Sequence, residues 1–311
     1  MRSMNQHLLR ELEVHSTVPF NCFVGSLNGL ICLVGNPTEE QPHEPIYIFN
    51  PVIKEYVMLP EINTNYSYDV FWTSGFGYVS ATNEYKVVKI YISKTKVVKV
   101  CIYTLGSGNG WRNLGDFNPS FAPSPWAQGV FANGALHWMG VELDMIVTFN
   151  LAEEKFCQHL SPPPSSPDDW PFNRIGVLDG FWFFDNFLTI EEDPYYDIWL
   201  SKRKNDDHDM KVGEKHLSPG WSKEFRVDDN ELLAVTKSGV VLTYTDNSLN
   251  IYNTKASTSK RLVEFKERIR TVFPHKNTLV SLKELGEEGT KIMEFIEIEE
   301  TESLDQPLKQ Q

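Results

Sequence analysis

The residues of this chain that could do chemistry are its paired acids and its scattered histidines. Asp168–Asp169 and Glu191–Glu192 are adjacent carboxylate pairs. A glycoside hydrolase needs two carboxyl groups flanking one bond, roughly 5 to 9 Å apart. Neighbours on an extended chain point to opposite faces, so neither pair forms such a dyad unless a loop turns it. Asp206, Asp207, His208, Asp209 and His216 supply metal-ligand types, but without the spacing of a zinc site. The sequence holds no phosphate-binding loop, nucleophile elbow, H-E-x-x-H pair or dinucleotide fingerprint. His137 lies inside an apolar run beside Trp138 and reads as a packed side chain. The expectation is therefore a chain that is not an enzyme and has no catalytic residue, no metal and no cofactor. Recognition remains, and its candidates are Tyr66, Tyr68, Trp126, Trp170, Tyr195 and Tyr196, interleaved with Asp168, Asp169, Glu191 and Glu192. Aromatic side chains among charged ones have the composition of a protein-binding surface. The competing reading is that these acids are merely solvated and the aromatics plug seams between sheets.

The elements that must position these residues come from a repeated pattern. In GSLNGLICL (Gly25 to Leu33) two apolar runs flank Asn-Gly, a strong hairpin signal because both residues tolerate positive φ. A second pair of runs follows, IYIFNP (Ile46 to Pro51) and YVML (Tyr56 to Leu59). The same succession recurs at FGYVSATNEYKVVKIY, GVFANGALHWMG, IGVLDGFWFF and LAVTKSGVVLTY, with a sixth copy expected at RTVFPHKNTLVSL and KIMEFIEI. The turns fall near Asn28, Asn83, Asn133, Asp179, Ser238 and Asn277, roughly 40 to 60 residues apart, as in four-stranded propeller blades. One such sheet cannot bury its faces alone, so the units must stack in a ring. The expected fold is all-β, a kelch-like β-propeller of six four-stranded antiparallel blades. Residues 1–20 fit no blade, 21–298 form the propeller, and 299–311 form an acidic, disordered tail.

With the strands of each blade named a to d, the a–b and c–d turns read as tight. The long connections, including DNFLTIEEDPYY (Asp185 to Tyr196), read as b–c or d–a. In an up-and-down sheet those leave from one edge. The expectation is that all long loops share one face of the disc and carry the recognition residues there.

The net charge is −13, which disfavours nucleic-acid phosphates as partners. No apolar run is long enough to span a membrane as a helix, and the N-terminus lacks a secretory signal. The four cysteines, Cys22, Cys32, Cys101 and Cys157, lie in or beside strand-like runs without C-x-x-C spacing. They point to a reducing compartment, cytoplasm or nucleus.

The chain resembles the plant F-box-associated interaction domain. The resemblance is carried in order by GSLNGLICL, IYIFNP, FGYVSATNEYKVV, VCIYTL with GWRNL, GVFANGALHW, IVTFNLAEEKF, IGVLDG and DIWL. It implies a target-capturing module of a ubiquitin ligase, whose Skp-type adaptor and cullin dock on a preceding F-box. The first twenty residues do not read as an F-box, so adaptor and cullin binding is expected only where one is present. A charged insert follows DIWL, where the family continues a strand. Two other readings stand beside this one: a glycan-binding or glycan-processing propeller, and a short form unable to recruit the ligase.

Overall fold

The computed structural model describes residues 20–37, 43–62, 70–93, 97–117, 122–125, 127–140, 145–157, 159–164, 173–178, 181–190, 193–204, 220–228, 231–235, 240–256, 258–269 and 272–293. Among them there is no helix, and the strands form five antiparallel sheets. The first holds β1 (Phe20–Leu27), β2 (Leu30–Gly35), β3 (Ile46–Asn50) and β4 (Glu55–Met58). The second holds β5 (Val70–Val79), β6 (Glu84–Ser93), β7 (Val98–Thr104) and β8 (Trp111–Phe117). The third holds β9 (Val130–Ala132), β10 (Ala135–Met139), β11 (Ile146–Asn150) and β12 (Lys155–Phe156). The fourth holds β13 (Arg174–Leu178), β14 (Phe181–Ile190), β15 (Asp193–Lys204) and β16 (Trp221–Asp228). The fifth holds β17 (Glu231–Val235), β18 (Val241–Tyr244), β19 (Ser248–Asn253) and β20 (Thr258–Glu264). This is a β-propeller of five blades, not the six expected.

Turn chemistry sets the register. Asn28, Asn83 and Asn133 take φ of 49°, 57° and 49°, as their hairpins require. The c–d turns share a second device. Asn50, Asn150 and Asn253 each end a c strand, and their side-chain oxygens accept backbone N–H bonds from Val52, from Ala152 and Glu153, and from Lys255 and Ala256. These are Asx turns, in which the side chain does the work of a backbone acceptor.

Alternating side chains fill opposite seams. Val87 of β6 packs toward the first sheet with Leu30, Cys32 and Ile48, whereas Val88 and Ile90 pack toward the third with Leu136, Trp138 and Phe149. Phe184 joins Met139 and Ile146 in the next seam, and Phe183 joins Leu232, Val241 and Tyr252 in the last. Because both faces of the second, third and fourth sheets are covered, their central strands read as continuous apolar runs. Each fully buried Leu or Phe contributes on the order of 1.5 to 3 kcal/mol.

The residues expected to make a sixth blade do something else. After β20 the chain passes the b–c turn of the fifth sheet, where Phe265 and the N–H of Ile269 bond to Asn247 and Asp246. It then climbs beside β1. Phe273 stacks on Phe23 with centroids 3.8 Å apart, His275 Nδ1 lies 2.8 Å from Ser26 Oγ, and Thr278 Oγ1 donates to the Asn28 carbonyl. Asn50 Nδ2 donates to the carbonyls of both Thr278 and Val280. Leu282 is fully buried in the seam between the first two sheets. The chain ends its described course as β21 (Lys291–Ile292), a fifth strand on the outer edge of β4. Two glycines permit this route. A Cβ on Gly29 would lie 1.9 Å from Thr278 Oγ1, and one on Gly106 would lie 1.6 Å from the Leu285 carbonyl oxygen; both also have positive φ, 84° and 72°. In place of a sixth blade the segment packs along the first sheet: Leu282 is fully buried, Val280 and Leu285 pack against the same core, and Leu279 and Ile292 stay exposed.

The fourth sheet also departs from expectation. Asp185 to Tyr196 is a hairpin rather than a long loop: β14 and β15 pair from Phe181↔Lys204 to Ile190↔Asp193. Pro194 is tolerated because it lies past the last β15–β16 pair, Tyr195↔Asp228, where β15 has one neighbour. The strand continues through DIWL to Lys204, so the charged insert falls in the c–d connection, residues 205–220. That connection leaves from the edge of the a–b turns, so the long connections are divided between both ends of the propeller.

Candidate interaction surface

Most residues expected on the recognition face lie outside the described residues: Tyr66, Tyr68, Trp126, Asp168, Asp169, Trp170, Glu191 and Glu192. Asp206 to His216, the imagined metal ligands, also lie outside them. Tyr195 and Tyr196 are described, and strand alternation sends them to opposite faces of β15. Tyr196 turns toward the seam with the fifth sheet, packs on its core and meets Phe187 at 5.3 Å. It is a seam residue, in line with the competing reading. Tyr195 faces the other way and carries the guanidinium of Arg226 3.8 Å above its ring.

Around Tyr195 lies a charged cluster that sequence reasoning missed. Asp197, two residues along on the same face, is 4% exposed. Its carboxylate accepts from Lys223 Nζ at 2.5 Å, and from Arg226 Nε at 2.9 Å and Nη2 at 3.3 Å. Burial pushes the Asp197 carboxyl up, but the hydrogen bonds and charges of Arg226 and Lys223 outweigh it and hold the group below its ordinary range. Asp197 and Arg226 are direct cross-strand partners. Only the register brings them together, so spacing in the sequence gives no signal.

A second cluster sits at the same end of the propeller, in the seam between the first two sheets. Glu44, from the b–c connection of the first sheet, accepts from Trp72 Nε1 at 3.1 Å, and Lys89 Nζ lies 3.3 Å away. The Lys89 ammonium stands 4.5 Å from the Trp72 ring centre and 5.5 Å from that of Tyr91. Lys89 is 2% exposed, and burial pulls its ammonium down despite the opposing pull of Glu44. Phe71, the neighbour of Trp72 on β5, points to the other face of the strand and is 51% exposed. Glu44 thus ties a surface connection to a buried cation, and aromatic faces complete the cation's surroundings.

His137 is buried, as the sequence suggested. Thr148 Oγ1 lies 3.1 Å from Nδ1, the Ala132 carbonyl 3.4 Å from Nε2, and Trp182 packs edge-on at 4.6 Å. The four cysteines are unbridged thiols, each pushed up by burial. Among the described residues no three of His, Cys, Asp and Glu converge as metal ligands would.

Fold and surface together define a five-bladed propeller with charged and aromatic side chains at its b–c and d–a end. Residues 2–170 match the family described as F-box associated beta propeller domain, and the chain belongs to that family. It is 27% identical over 246 residues to the Arabidopsis thaliana F-box protein At3g07870, covering 70% of this chain and 53% of that protein. It is also 27% identical over 146 residues to the Arabidopsis thaliana F-box protein At2g21930, covering 43% of this chain and 36% of that one. The chain thus spans about half or less of the curated relatives it matches. Among solved structures, the SapL1 lectin in complex with alpha methyl fucoside aligns at a TM-score of 0.44 and 8% identity, over 80% of each chain.

Proposed function

We propose that this chain captures a protein target at the b–c and d–a end of its propeller, by binding and without a chemical step. In a protein that also carries an F-box, the capture would present the target to a Skp-type adaptor and cullin for ubiquitination. Family membership over residues 2–170 carries this reading. The geometry supports it: the β14–β15 hairpin and the tethered Glu44 connection offer rigid, partly exposed aromatic and charged groups of the kind enriched at binding hot spots. The long connection at 205–220 leaves from the opposite end, so the binding face is defined by these clusters and not by loop length. The unbridged thiols fit action in the cytoplasm or nucleus. Nothing among the described residues favours the glycan-binding alternative.

The test is affinity purification from plant cells, with the chain alone and with an F-box joined to its N-terminus. The reading expects one shared set of captured proteins, ubiquitinated only with the F-box present. No specific protein in either preparation would refute it.

A further inference from the structure

We propose that the seam between the fifth sheet and the returning segment 272–278 docks an extended acidic stretch of another protein, through Lys260, Lys266 and Lys276. The proposal goes beyond the capture reading and stands without it. Apolar clusters join the first sheet to the second, the second to the third, the third to the fourth and the fourth to the fifth. Among the described residues, none joins the fifth to the first. Val241 and Tyr252 face the fourth sheet, so their neighbours Leu242 and Ile251, which pair with each other across β18 and β19, face the other way. Both are half-buried, and Lys260 extends their row onto β20. Phe23, unlike its neighbour Val24, lies outside the cluster shared with the second sheet, so Phe273 stacks on the side of β1 that looks toward this seam.

Residues 255–283 hold eight Lys or Arg against two Glu, a net +6 on a chain whose total is −13. Lys260, Lys266 and Lys276 are exposed, and their ammonium groups have no ion pair among the described residues. The nearby acids are engaged elsewhere: Glu264 pairs with Arg261 at 2.6 Å, and Asp246 with Arg268 at 3.0 Å. Glu267 is the one acid of this stretch without a pair among the described residues. Lys266 lies where the chain passes the b–c turn of the fifth sheet, and Lys276 follows His275, which meets Ser26 near the a–b turn of the first. The cations therefore mark both ends of the seam, with the aliphatic surface of Leu242 and Ile251 between them. An extended chain that carries carboxylates and small apolar side chains complements both features. A basic segment would meet like charge, and a nucleic acid would meet the repulsion of the acidic remainder of the surface.

The experiment uses the whole chain and a fluorescein-labelled peptide of about twelve residues alternating Glu and Ala. A Lys–Ala peptide and a thymidine oligonucleotide of the same length serve as controls. Fluorescence anisotropy is read at low salt and near 0.3 M, where surface attraction is screened. The expected result is binding of the acidic peptide alone, weakened by salt. K260Q and K276Q should each weaken it about threefold, and the triple variant K260Q/K266Q/K276Q at least tenfold. Melting temperature should hold in all three, because these ammonium groups have no partner to lose. K155Q, on the edge strand of the third sheet, should bind as the parent does. Absence of acidic-peptide binding, equal binding of either control, or an equal loss in K155Q would overturn the site. So would carbodiimide coupling of Lys260 or Lys276 to Glu297, Glu299 or Glu300 within one chain, because the seam would then hold the chain's own acidic end. None of these outcomes bears on which proteins the b–c and d–a end captures from cells, so the two readings fail separately.

Discussion

The carboxylate of Glu287, near the end of the described chain, accepts a hydrogen bond from Tyr103 Oη at 3.1 Å, 184 positions earlier. The same group accepts the Gly106 N–H at 2.7 Å. Burial, then the nearby Glu287 charge and bond, push the Tyr103 phenol up to about 12. A raised pKa means that the folded state holds this proton more tightly than the unfolded one. The stabilisation is present in full below the ordinary tyrosine value near 10 and is lost as pH rises toward 12. Thermal melts should therefore fall between pH 10 and 12, and Y103F should fall less. E287A should cost about 1 to 3 kcal/mol at neutral pH, because it orphans a buried hydroxyl and a partly buried N–H.

Leu282 is the apolar counterpart of that contact. It is fully buried between the first and second sheets. L282A should cost about 2 to 5 kcal/mol in urea denaturation, while L279A, at a side chain 75% exposed, should change little. Equal effects would place the seam elsewhere.

The Glu44–Lys89 pair predicts an asymmetry. Removing Glu44 leaves an ammonium that is 2% exposed without its carboxylate, so E44A should destabilise by about 3 kcal/mol. K89M should be close to neutral, because Glu44 is partly exposed and keeps its bond from Trp72. Chemical denaturation of both variants decides this.

His137 predicts acid sensitivity. Burial lowers it to about 4, so the unfolded chain takes up its proton near pH 6.5 while the folded chain does not. Stability should drop as pH falls from 6.5 toward 4, by up to about 3 kcal/mol. H137Q should flatten that part of the profile, read as the urea midpoint at several pH values.

Much of the fold was legible because turn chemistry is local. Asn28, Asn83 and Asn133 mark their hairpins in the sequence and adopt the backbone they imply. The five-blade count was not legible. RTVFPHKNTLVSL alternates as a strand would, but pattern alone cannot show whether a neighbour exists to cover it. The β14–β15 hairpin was hidden by its acids and Pro194, a composition that reads as loop, although β15 has one neighbour where Pro194 lies. Of the cluster around Tyr195, only that residue stood among the sequence candidates. Asp197, Lys223 and Arg226 meet only through cross-strand register, which depends on how the whole sheet assembles.

The return of residues 272–293 to the first sheet bears on how the chain is made. A ribosome releases β1 to β4 long before Leu282, so the nascent protein carries an unfinished first seam until all five sheets have emerged. Pairings such as Ser26 with His275, 249 positions apart, raise contact order and slow the final step. The opening strands thus wait, sticky and chaperone-accessible, for residues 272–293 to arrive, and a chain broken off before them would be an aggregation-prone fragment instead of a smaller propeller.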